Sequence, residues 1–185
     1  MISDQNLEPV SATSGPSPDT SAAMPPRFLA DRMVGRLAKW LRIIGYDTIY
    51  LPQLSPEGVK REARRQGRLL LTRSTCFLNQ KDVPPFVFIQ SDRFRDQLKQ
   101  VCTDLQLDVS THLLTRCSVC NQELAAVERE HIQQRVPEYV WQTHSTFLRC
   151  EKCCRVYWGA THRERVLEEL RQLGILQADS SAEEQ

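Results

Sequence analysis

Between Arg27 and Asp108 the apolar positions change period repeatedly. Arg27–Ala30 reads as a short strand, and Val34, Leu37, Ala38, Leu41 and Ile44 then recur at helical spacing up to Gly45, a natural C-terminal cap. Thr48–Leu51 predicts a second strand. Ser55 followed by Pro56 marks a helix start and Gly67 its stop. Leu69–Thr72 predicts a buried strand, and Phe86–Gln90 another after the Pro84–Pro85 breaker. Leu98, Val101, Cys102 and Leu105 give a last helical face. Strands alternating with helices predict a parallel α/β sheet flanked by helices, with ligands at the carboxyl ends of its strands. That rule selects Asp31, then Thr72, Arg73 and Ser74, then Ser91 and Asp92.

The flanks differ. Residues 1–26 are rich in Ser, Pro, Thr and Ala without apolar periodicity, which predicts a disordered leader, and 178–185 an acidic disordered tail. The expected units are an α/β domain over 27–112 and a ribbon with a C-terminal helix over 113–177. No apolar run of about 18 residues exists, so no membrane span is expected. The N-terminus lacks the basic start and apolar core of a secretory signal.

Charge sharpens this picture. The 185 residues carry a formal net charge of +1, but the leader contains acidic residues and no Lys or Arg. Arg27 to Arg116 holds 16 basic and nine acidic residues. A basic compact domain suits an anionic partner, of which nucleic acid is the commonest; an Arg-solubilised surface reads equally well from charge alone. Arg32, Arg36 and Lys39 lie opposite the apolar stripe of the first helix, and Arg73 follows the third strand. Arg32, Arg36 and Arg73 are the candidates for holding phosphate. Lys60, Arg61, Arg64, Arg65 and Arg68 read as a solvated helix face. Trp40 and Trp158 read as packing residues.

Seven cysteines, an odd number, argue against a disulfide framework and point to a reducing, cytoplasmic setting. Cys117-Ser-Val-Cys120 and Cys150-Glu-Lys-Cys153 are two CxxC pairs with 29 residues between them. Two such turns complete a tetrahedral Zn²⁺ site, and four thiolates leave no open position, so the zinc is expected to be structural. A redox pair is the rival, but it belongs at a helix N-terminus, where neither pair is expected. Asn121 suits the left-handed turn after the first pair, and Cys154 occupies the equivalent place after the second, as a spare thiol. Residues 136–141 read as strand material. His144 and His162 flank the second pair.

Metal-dependent phosphodiester hydrolysis needs clustered carboxylates that hold Mg²⁺ or Mn²⁺. Asp31 and Asp92 qualify by position, from strands that could be neighbours. The plainer reading of each is a helix N-cap, for helices starting at Arg32 and Arg93.

The run from Arg27 to Arg42, RFLADRMVGRLAKWLR, strongly resembles the start of the Mut-seven C-terminal RNase domain family. Gly45–Thr48, Gly67–Arg73, both CxxC pairs, Arg135–Pro137, Thr143-His144 and Tyr157-Trp158 continue the resemblance in order. It implies a PIN-like fold with an attached zinc ribbon, RNA as substrate or partner, and metal-dependent ribonuclease activity with Asp31 and Asp92 as metal carboxylates. Ser74 stands where the family has an acidic residue, and Arg93 where it often does. Ser74 is then a weak third ligand, with Asp96 or Asp82 as compensating carboxylates. The alternative is a weakened nuclease kept as an RNA- or ribosome-binding module, and the ribbon is the surface for an RNA, protein or ribosomal partner.

Overall fold

The computed structural model describes residues 24–176, without the side chains of 160–162. The expected leader, save residues 24–26, the expected tail and the side chain of His162 lie outside the described residues.

β1 (Phe28–Ala30), α1 (Gly35–Ile43), β2 (Thr48–Tyr50), α2 (Pro56–Gln66), β3 (Leu69–Thr72), β4 (Phe86–Phe88) and α3 (Phe94–Asp104) form the first unit. Its sheet is wholly parallel with strand order β2-β1-β3-β4. Alternation along the strands separates two buried layers. Phe28, Ala30 and Leu71 face α1 and α3, whereas Leu29 and Leu70 meet Val59 and Ala63 of α2 and Phe77. Helices therefore cover both faces of a PIN-like parallel sheet.

Ser55 caps α2, its side chain accepting from the Gly58 amide at 3.3 Å, and Gly67 ends the helix at φ +58°. Gly45 ends the first α/β step at φ +97°. A Cβ there would lie 2.2 Å from the His112 carbonyl oxygen. That close approach lets the 108–116 segment land on the end of α1, where the Leu114 amide donates to the Ile43 carbonyl at 2.7 Å.

A second, antiparallel sheet follows, in the order β5-β6-β7, from β5 (Leu124–Val127), β6 (Phe147–Cys150) and β7 (Val156–Trp158). Residues 136–141, expected to be extended, contain instead most of α4 (Glu138–Thr143). Pro137 holds the position before the first helical turn, and Val140 turns inward beside Ile132, Val136 and Phe147. This small helix fills the ribbon's own core. α5 (Ala160–Gln172) packs back on the first unit, where Val166 and Leu170 join Leu98 and Val101. No described helix is long and apolar enough to cross a membrane.

Candidate zinc ribbon and RNA-binding groove

Two knuckles bring the cysteines together. Asn121 at φ 66° and Cys154 at φ 58° are the left-handed residues closing the two turns, and their amides donate to the carbonyls of Cys117 and Cys150 at 2.9 and 2.8 Å. The Sγ atoms of Cys117, Cys120, Cys150 and Cys153 all lie within 4.8 Å of one another, with Cys117–Cys120 at 3.3 Å and Cys117–Cys153 at 3.6 Å. A tetrahedral ion bound by four thiolates about 2.3 Å away sets sulfurs on the order of 3.8 Å apart, so this donor set fits Zn²⁺. Cys154 is exposed and lies outside the four.

The thiols are unequal. Burial pushes Cys120 up to about 12, helped by its three sulfur neighbours. Burial acts the same way on Cys117, but hydrogen bonds from Tyr157 and from the Cys120 and Val119 amides outweigh it and bring Cys117 down to about 6. A cation among the four removes this conflict by stabilising every thiolate at once.

The first knuckle is clamped to the sheet. The buried Arg42 of α1 donates through Nη1 to the Val119 carbonyl at 2.7 Å and through Nε to the Thr48 carbonyl at 2.7 Å. Asn121 accepts from the Thr48 amide at 2.9 Å and donates to Asp47 at 2.6 Å. Asp47 in turn pairs with Arg68 at 2.8 Å. Arg68, expected on a solvated face, is buried because it closes the edge where β1, β2 and β3 begin, also donating to the Phe28 carbonyl. Arg61, Arg64 and Arg65 are exposed as expected, Arg64 pairing with Asp82 and Arg65 with Glu62, whereas Lys60 is half-buried against Glu57 and Gln80. Arg42 and Asn121 gave no sequence clue to this role, since each lay in a segment already read for another purpose.

At the opposite, carboxyl edge Asp31 is only 5% exposed. One carboxylate oxygen accepts from the Met33 amide at 2.7 Å and the other from the Thr72 hydroxyl. The Met33 bond makes a tight turn, so α1 begins at Gly35 rather than Arg32, and Asp31 is not its N-cap. Thr72 also accepts from the Ser74 amide at 3.0 Å, linking β1 to the start of the loop that carries Ser74. The Ser74 hydroxyl lies 2.9 Å from the Cys76 sulfur. Arg73 is half-buried, with its Nε buried and without a hydrogen-bond partner.

Asp92 is exposed and caps nothing: Ser91 accepts from the Arg93 amide at 3.1 Å and donates to Asp96 at 2.9 Å. β1 and β4 are not neighbours, because β3 lies between them. Its run Leu69–Leu71 is apolar throughout and suits the centre of a sheet covered on both faces. Among the described residues the four cysteines are the sole group of three or more His, Cys, Asp or Glu side chains that converge. That group includes none of Asp31, Asp92, Asp96 and Asp82.

Asp92 instead borders a groove of about 850 Å³ between α1 and α3. Arg36, Lys39, Tyr50, Phe94 and Arg95 line it, while Asp31, Ser74, Arg32 and Arg73 do not. The Arg36 guanidinium sits 4.1 Å over the Phe94 ring, Arg95 lies 5.9 Å from its centroid, and Trp40 stacks with it at 6.1 Å. Arg32 is exposed before the helix, its carbonyl accepting from the Tyr50 hydroxyl at 3.3 Å. Phe94 was missed from sequence; the aromatic set between Arg93 and Arg95 at a helix start was its available clue.

With this geometry in place, comparison with known families is decisive. Residues 26–170 match the Mut7-C RNAse domain. The chain belongs to this family. No curated protein and no solved structure gives a match. The Mut7-C match covers both the parallel sheet and the four-cysteine ribbon, so the clamp between them lies inside one family unit.

Proposed function

We propose that this chain is an RNA-binding member of the Mut7-C family that holds a single strand in the groove between α1 and α3, and that its metal-dependent cleavage is slow or lost. Convergence supports this reading: basic and aromatic side chains meet in the groove beside Asp92 and Asp96, and among the described residues no group of three or more carboxylates accompanies them. Arg36 and Lys39 supply positive charge for phosphates, and Phe94, backed by Trp40, supplies an apolar, polarisable wall. Arg32 and Arg73 extend the same charge along the strand ends. Zn²⁺, held by Cys117, Cys120, Cys150 and Cys153, fixes the ribbon and supplies no chemistry to the strand. A cytoplasmic site of action accords with an odd number of cysteines, four of them grouped to hold a metal.

The second reading is an active ribonuclease using Mg²⁺ or Mn²⁺. The position of Asp31 and Asp92 at the carboxyl ends of their strands favours it. Both readings meet in one experiment. Zinc-loaded protein is mixed with labelled single-stranded RNA, first to measure binding at about 50 and 200 mM salt, then with Mn²⁺ or Mg²⁺ to measure cutting. The expected result is salt-sensitive binding that Arg36→Ala weakens, with no more cutting by wild type than by Asp31→Asn. Metal-dependent cutting that disappears in Asp31→Asn establishes the ribonuclease instead. Gain of cutting in Ser74→Asp alone identifies the missing carboxylate.

A further inference from the structure

The ribbon carries a second recess, lined by β6, β7, the segment after α4, residues 113–115 and the start of α5. It has a volume of about 500 Å³, and its lining includes His144, Thr146, Leu148, Tyr157, Trp158 and Arg163. β7 is the edge strand of the ribbon sheet. Trp158 ends it with 36% of its surface exposed, although an indole of this size ordinarily earns burial. Gly159, at φ +77°, turns the chain into α5, and the His144 ring packs so closely on it that a Cβ would lie 2.4 Å from the imidazole. His144 is itself fixed by hydrogen bonds of its Nδ1 to the Thr143 hydroxyl at 2.8 Å and the Val140 carbonyl at 3.2 Å. His144 and Gly159 thus pack tightly on one wall of the recess.

Tyr157 and Trp158 also line a shallower neighbouring recess, shared with Arg135, Arg155 and Cys154. No Asp or Glu lines either recess. Among the described residues Arg135, Arg155 and Arg163 form no ion pair with a carboxylate. An exposed aromatic platform with free guanidinium groups on both sides, bordered by the hydroxyls of Thr143, Ser145 and Thr146, suits a flat heteroaromatic ring carried on a polyanionic backbone.

We infer that this recess binds one unpaired nucleotide of a single-stranded RNA, its base stacked on Trp158 and its flanking phosphates held by Arg135 and Arg155 on one side and Arg163 on the other. The inference rests on the RNA-binding reading and adds to it a contact outside the α1–α3 groove. It assigns Trp158 to a ligand rather than to packing.

The test uses the full zinc-loaded chain and a labelled 12-nucleotide (roughly one strand site) oligouridine, with binding followed by anisotropy over a range of salt. Trp158→Ala is expected to weaken binding about tenfold without changing the salt dependence, because stacking releases no counterions. Trp158→Phe keeps a smaller ring in place and is expected to fall between the two. The pair Arg135→Ala and Arg155→Ala is expected to weaken binding and make the slope of log K against log salt shallower by about 0.7 for each lost phosphate contact. An abasic strand is expected to bind wild type and Trp158→Ala alike. Zinc content and circular dichroism confirm that each variant is folded. If Arg36→Ala weakens binding and Trp158→Ala and Trp158→Phe do not, the recess assignment fails while the RNA reading stands. Absence of salt-dependent binding by wild type overturns both. Equal displacement of the RNA by polyglutamate, with Trp158 fluorescence responding to the peptide as to RNA, assigns the recess to an acidic protein segment and overturns the nucleotide.

Discussion

Asp31 combines a charge with near-complete burial, and its two hydrogen bonds stabilise that charge. Removing one partner leaves a buried carboxylate short of a donor, at a cost of about 2 kcal/mol. Thr72→Val keeps the shape and removes the hydroxyl, so urea unfolding should show that loss; an unchanged midpoint means that water replaces the bond. Cysteine reactivity follows the same local logic. Burial pushes Cys102 up to about 12, whereas the hydrogen bond and charge of Arg149 lower exposed Cys154. Alkylation of the zinc-loaded protein, mapped by mass spectrometry, is expected at Cys154 well before Cys102, since the thiolate is the reactive form. The reverse order would contradict the packing of α3.

Between elements, the Asp47–Arg68 pair holds together the starts of β1, β2 and β3 and, through Asn121, the first knuckle. Burial acts to raise Asp47, but the hydrogen bonds of Arg68 and Asn121 and the Arg68 charge hold it below its ordinary value. A carboxylate with a lowered folded pKa contributes stability that is complete above its unfolded value and disappears as pH falls through the folded one. Stability is therefore expected to drop below about pH 4, and less so in Asp47→Asn, which has already lost the contribution at neutral pH. Arg68→Ala, by leaving half-buried Asp47 without its guanidinium partner and with only Asn121 as a donor, is expected to cost about 2 kcal/mol in denaturant unfolding. A loss within a few tenths of wild type would show that the pair is dispensable.

Over the whole chain, the ribbon and the sheet share their interface rather than hanging on a linker. Arg42 reaches the carbonyls of Ser118 and Val119 inside the first knuckle, Arg116 reaches the Gly45 carbonyl at 3.1 Å, and α5 returns to the α1–α3 core with Arg95 paired to Glu169. Metal binding to four thiolates contributes on the order of 10 kcal/mol to the folding of such a module. Chelation of zinc is accordingly expected to lower the melting temperature of the α/β unit as well as the ribbon, in one transition seen by both far-ultraviolet circular dichroism and tryptophan fluorescence. Two separate transitions, with the upper one unmoved by chelation, would falsify this coupling.

The sequence by itself determined the alternation of strands and helices, the caps at Ser55 and Gly67, and the two knuckles with their four ligands. All of these depend on short-range spacing and on conformations that a few residue types adopt. It placed Asp31 at its strand end for the same reason. Local pattern could not tell that β3 would separate β1 from β4, because strand order follows from which apolar run most needs both faces covered. Nor could it tell that 136–141 would coil into a helix, since a short apolar run is compatible with either period until the ribbon core selects one. Tertiary structure alone decided that Arg68 and Arg42 are buried clamps rather than surface charge, and that Asp31 accepts a hydrogen bond from Thr72. It also left Trp158 open beside free arginines. Each of these depends on partners between roughly 20 and 80 residues away in the chain, or on their absence, and no spacing rule reaches that far.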